Sequence, residues 1–219
     1  GTTPNKVVYD SSSQKLLVLY QNSNNSNLDE YFYVTVNSSN DTLSYSSSTV
    51  IGTTDNGYEG VIYDSNANQS LIYYQDYSNS RYGTYQLAGL TGFPVPEVGS
   101  EIVFSSSTTY YTSAAYDSTN NKVVIAYMDI GDNGYGKAVV GTVSGTSISF
   151  GSSTTFESSD IYYPSITFDS SNNKVVVVYH DNGNSDYLTA VVGTVSGTSI
   201  SFGSPVAITS TSAYHVTST

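Results

Sequence analysis

Three short loops concentrate the side chains that could do chemistry. They are "DYSNSR" at 76–81, "DIGDNG" at 129–134 and "DNGNSD" at 181–186. They offer Asp76, Asn79 and Arg81, then Asp129, Asp132 and Asn133, then Asp181, Asn184 and Asp186. A second recurrent set is aromatic: Tyr58, Tyr110-Tyr111, Tyr162-Tyr163 and Tyr214-His215. Rings beside amides and carboxylates are what sugar recognition requires. The ring stacks on the sugar's C–H face and the polar groups bond its hydroxyls. The same residues also have a structural reading, since tyrosine pairs across strands and Asp, Asn and Gly build turns. The candidate ligand-binding set is Tyr110, Tyr111, Tyr162, Tyr163, Asp129, Asp132, Asp181 and Asn184.

Other chemistries have weaker support. "DIGDNG" and "DNGNSD" bring oxygen ligands together as calcium would require, but neither has the full EF-hand spacing. The corresponding loop "DYSNSR" carries an arginine instead. No cofactor is expected, and calcium is the one metal these loops suggest. "GDNGYGKA" at 131–138 approximates a phosphate-binding loop, yet Ala138 stands where a hydroxyl should ligate magnesium and no helix follows. The two histidines, His180 and His215, fall at strand ends with no cysteine nearby.

The 219-residue chain is strand-rich in composition, with 22 tyrosines, no cysteine and only 11% charged residues. Its 18 acidic side chains outweigh six basic ones for a formal charge of −12, which repels phosphate backbones and anionic membranes. Nucleic-acid binding is therefore excluded from the expected functions, and membrane insertion is not expected because no apolar run reaches transmembrane length. Without cysteine there is no thiolate chemistry and no disulfide framework.

The elements that must position these loops repeat along the chain. "VVGTVSGTSISFGS" occurs at 139–152 and again at 191–204. An aromatic-Asp anchor recurs as Tyr9-Asp10, Tyr63-Asp64, Tyr116-Asp117 and Phe168-Asp169, at Asp spacings of 54, 53 and 52 residues. Each repeat reads as four strands. Strand A ends at the anchor, and a "DSSNN"-type turn follows. Strand B is an apolar run such as "KVVVVYH", as suits a strand covered on both faces. The Asp/Asn/Gly loop leads to strand C, and a tight turn leads to a half-exposed strand D, "ISF". Four-stranded units of this length predict an all-β fold, a β-propeller of antiparallel blades. A β-sandwich or a parallel β-helix explains the period less well.

The expected units are 1–51, 52–105, 106–158 and 159–210, with 211–219 as the first strand of a further repeat. A closed four-bladed ring would then have two segments competing for one inner position. The expectation is an excerpt of a longer propeller, or a strand exchanged with a neighbouring molecule. In such blades the B–C loops and the D–A links share one face, which brings the Asp/Asn/Gly loops beside the tyrosines.

Two enzyme classes built on propellers are a poor match. Sialidases hold the substrate carboxylate with several arginines, and Arg81 is the only arginine here. Propeller glycosidases need a paired acid and base, whereas Glu30, Glu59, Glu97, Glu101 and Glu157 occupy unlike repeat positions. The stretch "FDSSNNKVVVVYHDNGNSDYLTAVVGTVSGTSISFGSPV" resembles propeller repeats of large surface and virion-associated proteins, particularly of aquatic phages and microbes. The resemblance implies a non-enzymatic structural or adhesive module, tail-fibre-like, in an extracellular, cell-surface or virion assembly. It brings no catalytic residue. The expected partners are a surface glycan or protein and other subunits of the assembly.

Overall fold

The computed structural model describes residues 5–11, 13–39, 42–51, 56–89, 97–145 and 147–212. The fold is all-β and antiparallel. Among the described residues there is no α-helix, only two single 3-10 turns at Ile130–Asp132 and Asn182–Asn184. No helix there is long and apolar enough to cross a membrane.

Repeat 1 contributes β1 (Lys6–Asp10), β2 (Lys15–Asn22), β3 (Leu28–Asn37), β4 (Thr42–Tyr45) and β5 (Thr49–Ile51). Repeat 2 follows with β6 (Asn56–Asp64), β7 (Gln69–Asp76), β8 (Tyr82–Gly89) and β9 (Glu97–Val98). A long strand, β10 (Ile102–Asp117), joins it to β11 (Lys122–Asp129), β12 (Tyr135–Ser144) and β13 (Ser147–Phe150) of repeat 3. A second long strand, β14 (Thr154–Asp169), leads into β15 (Lys174–Asp181), β16 (Tyr187–Ser196), β17 (Ser199–Phe202) and β18 (Val206–Ser212) of repeat 4.

The connections from repeat 2 to 3 and from repeat 3 to 4 are therefore strands. The first half of β10 pairs with β8 on the outer edge of repeat 2, through Ile102, Val103, Ser105 and Thr108. Its second half pairs with β11 and opens repeat 3. β14 repeats this between β12 and β15. The unit boundaries expected at 105/106 and 158/159 fall inside these two strands. Register shifts around Ser105 bend β10 from one edge to the next, the usual work of a bulge.

The A–B hairpins explain the recurrent aspartates. The Asp64 Oδ1 accepts the N–H groups of Asn66 and Ala67, both at 2.9 Å. Asp117 does the same for Thr119 and Asn120, and Asp169 for Ser171 and Asn172. Each hairpin closes on a left-handed residue four positions after the Asp: Gln14, Asn68, Asn121 and Asn173, with φ of 52–56°. Asn tolerates that conformation better than most side chains.

The core lies between repeats. In β11, Val123, Ile125 and Tyr127 pack back on Leu71, Tyr73, Tyr85, Leu87 and Phe104 of repeat 2. The alternate residues Val124, Ala126 and Met128 pack forward on Val175, Val177 and Tyr179 of repeat 4. Leu17, Leu19, Tyr31 and Tyr33 of repeat 1 meet Ile72 and Tyr74 of repeat 2 in the same way. Strand B of an internal repeat is thus buried on both faces, which its unbroken apolar run requires.

Candidate functional site

The B–C loops and the opening of the next strand A are joined by backbone bonds. The Arg81 carbonyl accepts the N–H of Thr109 at 3.1 Å, and the Gly134 carbonyl accepts that of Ile161 at 3.1 Å. Those two residues precede Tyr110-Tyr111 and Tyr162-Tyr163, so the tyrosine pairs emerge beside the loops.

Both pairs sit on a bulge. β10 has Tyr110 opposite Met128 and Ser113 opposite Ala126, one residue more than its partner strand. β14 has the same extra residue between Tyr162 and Ser165, and β6 between Gly57 and Gly60. The inserted residue takes a positive φ, 52° at Tyr111 and 51° at Tyr163. Such a conformation is rare for a bulky side chain and carries strain, of order 1–3 kcal/mol.

The strained backbone gathers the four rings into one half-buried cluster. The centroids of Tyr111 and Tyr163 are 4.5 Å apart, those of Tyr111 and Tyr162 are 5.9 Å apart, and Tyr110 lies 6.1 Å from Tyr111. His180 extends the cluster, 5.7 Å from Tyr162. At the other end Arg81 Nη1 donates to Tyr110 Oη at 3.1 Å, while the guanidinium lies 5.2 Å from the Tyr77 ring centre. On the far side the Tyr162 hydroxyl donates to Asp160 Oδ2 at 2.9 Å, and Asn182 Nδ2 donates to the same oxygen at 3.2 Å. The bond to Asp160, followed by burial, raises the Tyr162 pKa. The result is a ledge crossing three repeats, aromatic at its centre and polar at its margins.

The candidate carboxylates have different surroundings. Asp129 is buried, accepts the Ser107 hydroxyl and lies 2.9 Å from Lys137 Nζ. Asp132 meets the same ammonium at 2.9 Å. Burial opposes the charge on Lys137, but the two carboxylates more than offset it and push its pKa up to about 12. The loop that suggested calcium thus carries its own cation. The lysine of "GDNGYGKA" is this same Lys137. Asp181 is buried and accepts Ser159 Oγ at 2.9 Å. Burial raises its pKa against hydrogen bonds from Ser159 and the backbone of Gly183 and Asn184. Asn184 is exposed in the 3-10 turn. The structure therefore brings the four tyrosines together, while Asp129 and Asp181 stand inside the loops as turn supports. Among the described residues no group of three or more His, Asp or Glu gathers as a metal site would.

Asp160, Asn182, Tyr77 and His180 belong to the ledge without having been marked as candidates for the site. A signal existed for two of them, since Asp160 and Asn182 flank the Tyr162 pair and its loop. His180 occupies a strand end, and only the packing of Tyr162 over it reveals the association. The Tyr58 side chain, Tyr214 and His215 lie outside the described residues.

The glutamates have one recurrent duty. Tyr20, Tyr74 and Tyr179 stand at equivalent points of strand B. Their hydroxyls donate to Glu30 at 2.6 Å, Glu101 at 2.9 Å and Glu157 at 3.0 Å. Burial and then the neighbouring carboxylate raise the pKa of Tyr74 and Tyr179. Tyr127, the fourth equivalent, bonds Ser153 and Ser105 instead.

No protein-family model matches the chain, and no curated protein matches it in sequence.

Proposed function

We propose that the chain is part of a β-propeller that acts without catalysis, as a rigid adhesive platform of an extracellular or virion surface protein. On this reading it holds glycans on the tyrosine ledge. The observation that carries the proposal is the ledge itself. Four rings from two repeats share one strained corner, flanked by Arg81, Asp160 and Asn182. Strain kept at the same bulge in successive repeats is the pattern of a site rather than of packing alone.

Three further features support the propeller reading. Each repeat runs A-B-C-D in antiparallel order, the extensive packing between repeats among the described residues joins sequence neighbours, and the outer edge of repeats 2 and 3 leads into the inner strand of the next. The acidic, lysine-poor, cysteine-free composition suits an exposed extracellular or particle surface. Against hydrolysis stand Glu30, Glu101 and Glu157, each engaged with a tyrosine hydroxyl.

The test is binding to a panel of microbial surface polysaccharides, comparing the chain with Tyr111→Ala and Tyr163→Ala. The expected result is that both variants lose binding while keeping the thermal midpoint within a few degrees, as about 1 kcal/mol would allow. Absence of binding across the panel, or midpoints that collapse in both variants, would overturn it. Release of reducing ends from any of these polysaccharides would favour the enzymatic alternative.

A further inference from the structure

The ledge has a charged end. Arg81 closes the B–C loop of repeat 2 in a left-handed backbone conformation, φ 60°. The equivalent positions hold Asn27 at φ 59°, Gly134 at φ 79° and Asp186 at φ 59°. Gly, Asn and Asp suit that conformation better than arginine does. The backbone is pinned on both sides. The Arg81 N–H donates to the Asp76 carbonyl at 2.8 Å, and the Arg81 carbonyl accepts the Thr109 N–H at 3.1 Å. A long cation therefore stands where a turn residue would serve the fold.

Its side chain lies along the ledge. Cζ is 5.2 Å from the Tyr77 ring centre, and Nη1 donates to Tyr110 Oη at 3.1 Å. That bond takes one of the several N–H donors of the guanidinium. Arg81 is exposed, and among the described residues the ion pairs are those of Lys137 and His180. The lysines offer no substitute. Lys137 is held by Asp129 and Asp132. Lys122 and Lys174 open strand B at the end away from the B–C loops, where they bond Thr142 and Thr194. With 18 acidic side chains against six basic ones, the chain as a whole repels anions, so an anionic ligand needs a local cation. Arg81 supplies one at the repeat 2 end of the ledge. The repeat 4 end is acidic, through Asp160.

We propose, resting on the glycan reading of the ledge, that its ligand is an acidic heteroglycan. A uronate carboxylate sits on Arg81, and neutral sugars sit on Tyr111, Tyr162 and Tyr163. The guanidinium fork matches the coplanar oxygens of a carboxylate. Tyr110, beside that fork, takes the C–H face of the uronate ring. Asp160 repels a second carboxylate and accepts sugar hydroxyls instead. The ledge thus gives the glycan a direction, acidic residue over repeat 2 and neutral residues toward repeat 4.

The test is calorimetric titration of the whole chain with polysaccharides that alternate uronate and neutral sugars. Each is paired with its carboxyl-reduced form, in which the uronates have become neutral hexoses. The parent is expected to bind the acidic form tighter by about tenfold or more, as hydrogen bonds to a charged group allow. Arg81→Asn installs the residue that repeat 1 has at the same left-handed position, and is expected to bring the ratio of the two affinities near one. Arg81→Lys keeps the charge without the fork and is expected to keep only a minor part of the ratio. A purely structural arginine would lower the thermal midpoint of Arg81→Asn and leave the ratio intact. An intact ratio in Arg81→Asn would overturn the proposal. So would a parent that binds both forms equally; if Tyr111→Ala abolishes that binding, the ledge still holds glycans, but neutral ones. A parent that binds neither form of any pair would overturn the glycan reading along with this one. A sulfated galactan bound through Arg81 more tightly than every uronate would overturn the carboxylate assignment.

Discussion

Tyr111 and Tyr163 stand one repeat apart, yet their rings are 4.5 Å apart at a 51° tilt, and both residues hold a left-handed backbone. The contact and the conformation have one cause. An inserted residue at the start of strand A turns its side chain out of the sheet alternation, and the same insertion in the next repeat turns a second ring toward it. If the ring is kept for a ligand and the backbone is strained to keep it, glycine should relieve the strain and lose the ring. Tyr163→Gly is expected to be more stable than Tyr163→Ala by about 1 kcal/mol, because glycine adopts positive φ without the Cβ penalty. Urea denaturation of the two variants gives the difference. Equal stabilities would mean that the surrounding strands impose no strain at this position.

Lys137 gives a second test through the other repeats. Where repeat 3 has Asp132 and Lys137, repeat 2 has Asn79 and Thr84 and repeat 4 has Asn184 and Thr189. The charge pair is exchanged as a unit. Lys137→Thr alone leaves buried Asp129 without its cation and is expected to cost about 2 kcal/mol. Adding Asp132→Asn is expected to recover part of that loss, with a coupling of about 1 kcal/mol by double-mutant cycle. Additive losses would show that Lys137 serves Asp129 alone.

Much of the scaffold is legible in the residues. The Val-rich strand B must be covered on both faces, and the aspartate four residues before an Asn can only open a tight turn. What was hidden follows from interactions that cross repeats. "FSSSTTYY" at 104–111 reads as a polar link, yet it is the bend of β10, where Ser and Thr can bond through the register shift. Glu101 and Glu157 fall at unlike repeat positions, yet each reaches an equivalent tyrosine, one in its own repeat and one in the next. The tyrosine pairs were visible as a repeated doublet. Their clustering was not, because spacing alone does not reveal the bulge that turns them together.

Glu30 links this network to pH. Its carboxylate accepts Tyr20, Asn22 and Asn25, and its pKa is lowered from 4.5 to about 2, first by Tyr20 and then by Asn25. A lowered folded-state pKa stabilises the fold above the unfolded value, and the gain is lost as pH falls from there toward 2. Stability is therefore expected to decline between about pH 5 and 2, and Glu30→Gln to flatten part of that decline. The amide also replaces a charged acceptor by a neutral one, which costs about 1 kcal/mol near neutrality. Denaturation midpoints of the two proteins across this range provide the comparison. An unchanged acid limb in Glu30→Gln would assign it to other carboxylates.

Gly151 and Gly203 ask whether the repeats touch as the packing indicates. They are equivalent residues, but a Cβ on Gly151 would lie 1.9 Å from the Thr198 carbonyl, and one on Gly203 would meet nothing nearer than 3.8 Å. The clash involves backbone on both sides, so a side-chain rotation cannot relieve it. Gly151→Ala is expected to destabilise by about 1–3 kcal/mol, the range for overpacking. Gly203→Ala is expected to stay within about 0.5 kcal/mol of the parent. In dilute solution thermal midpoints should separate the two variants. Equal midpoints in the two variants would mean that repeat 4 does not press on Gly151.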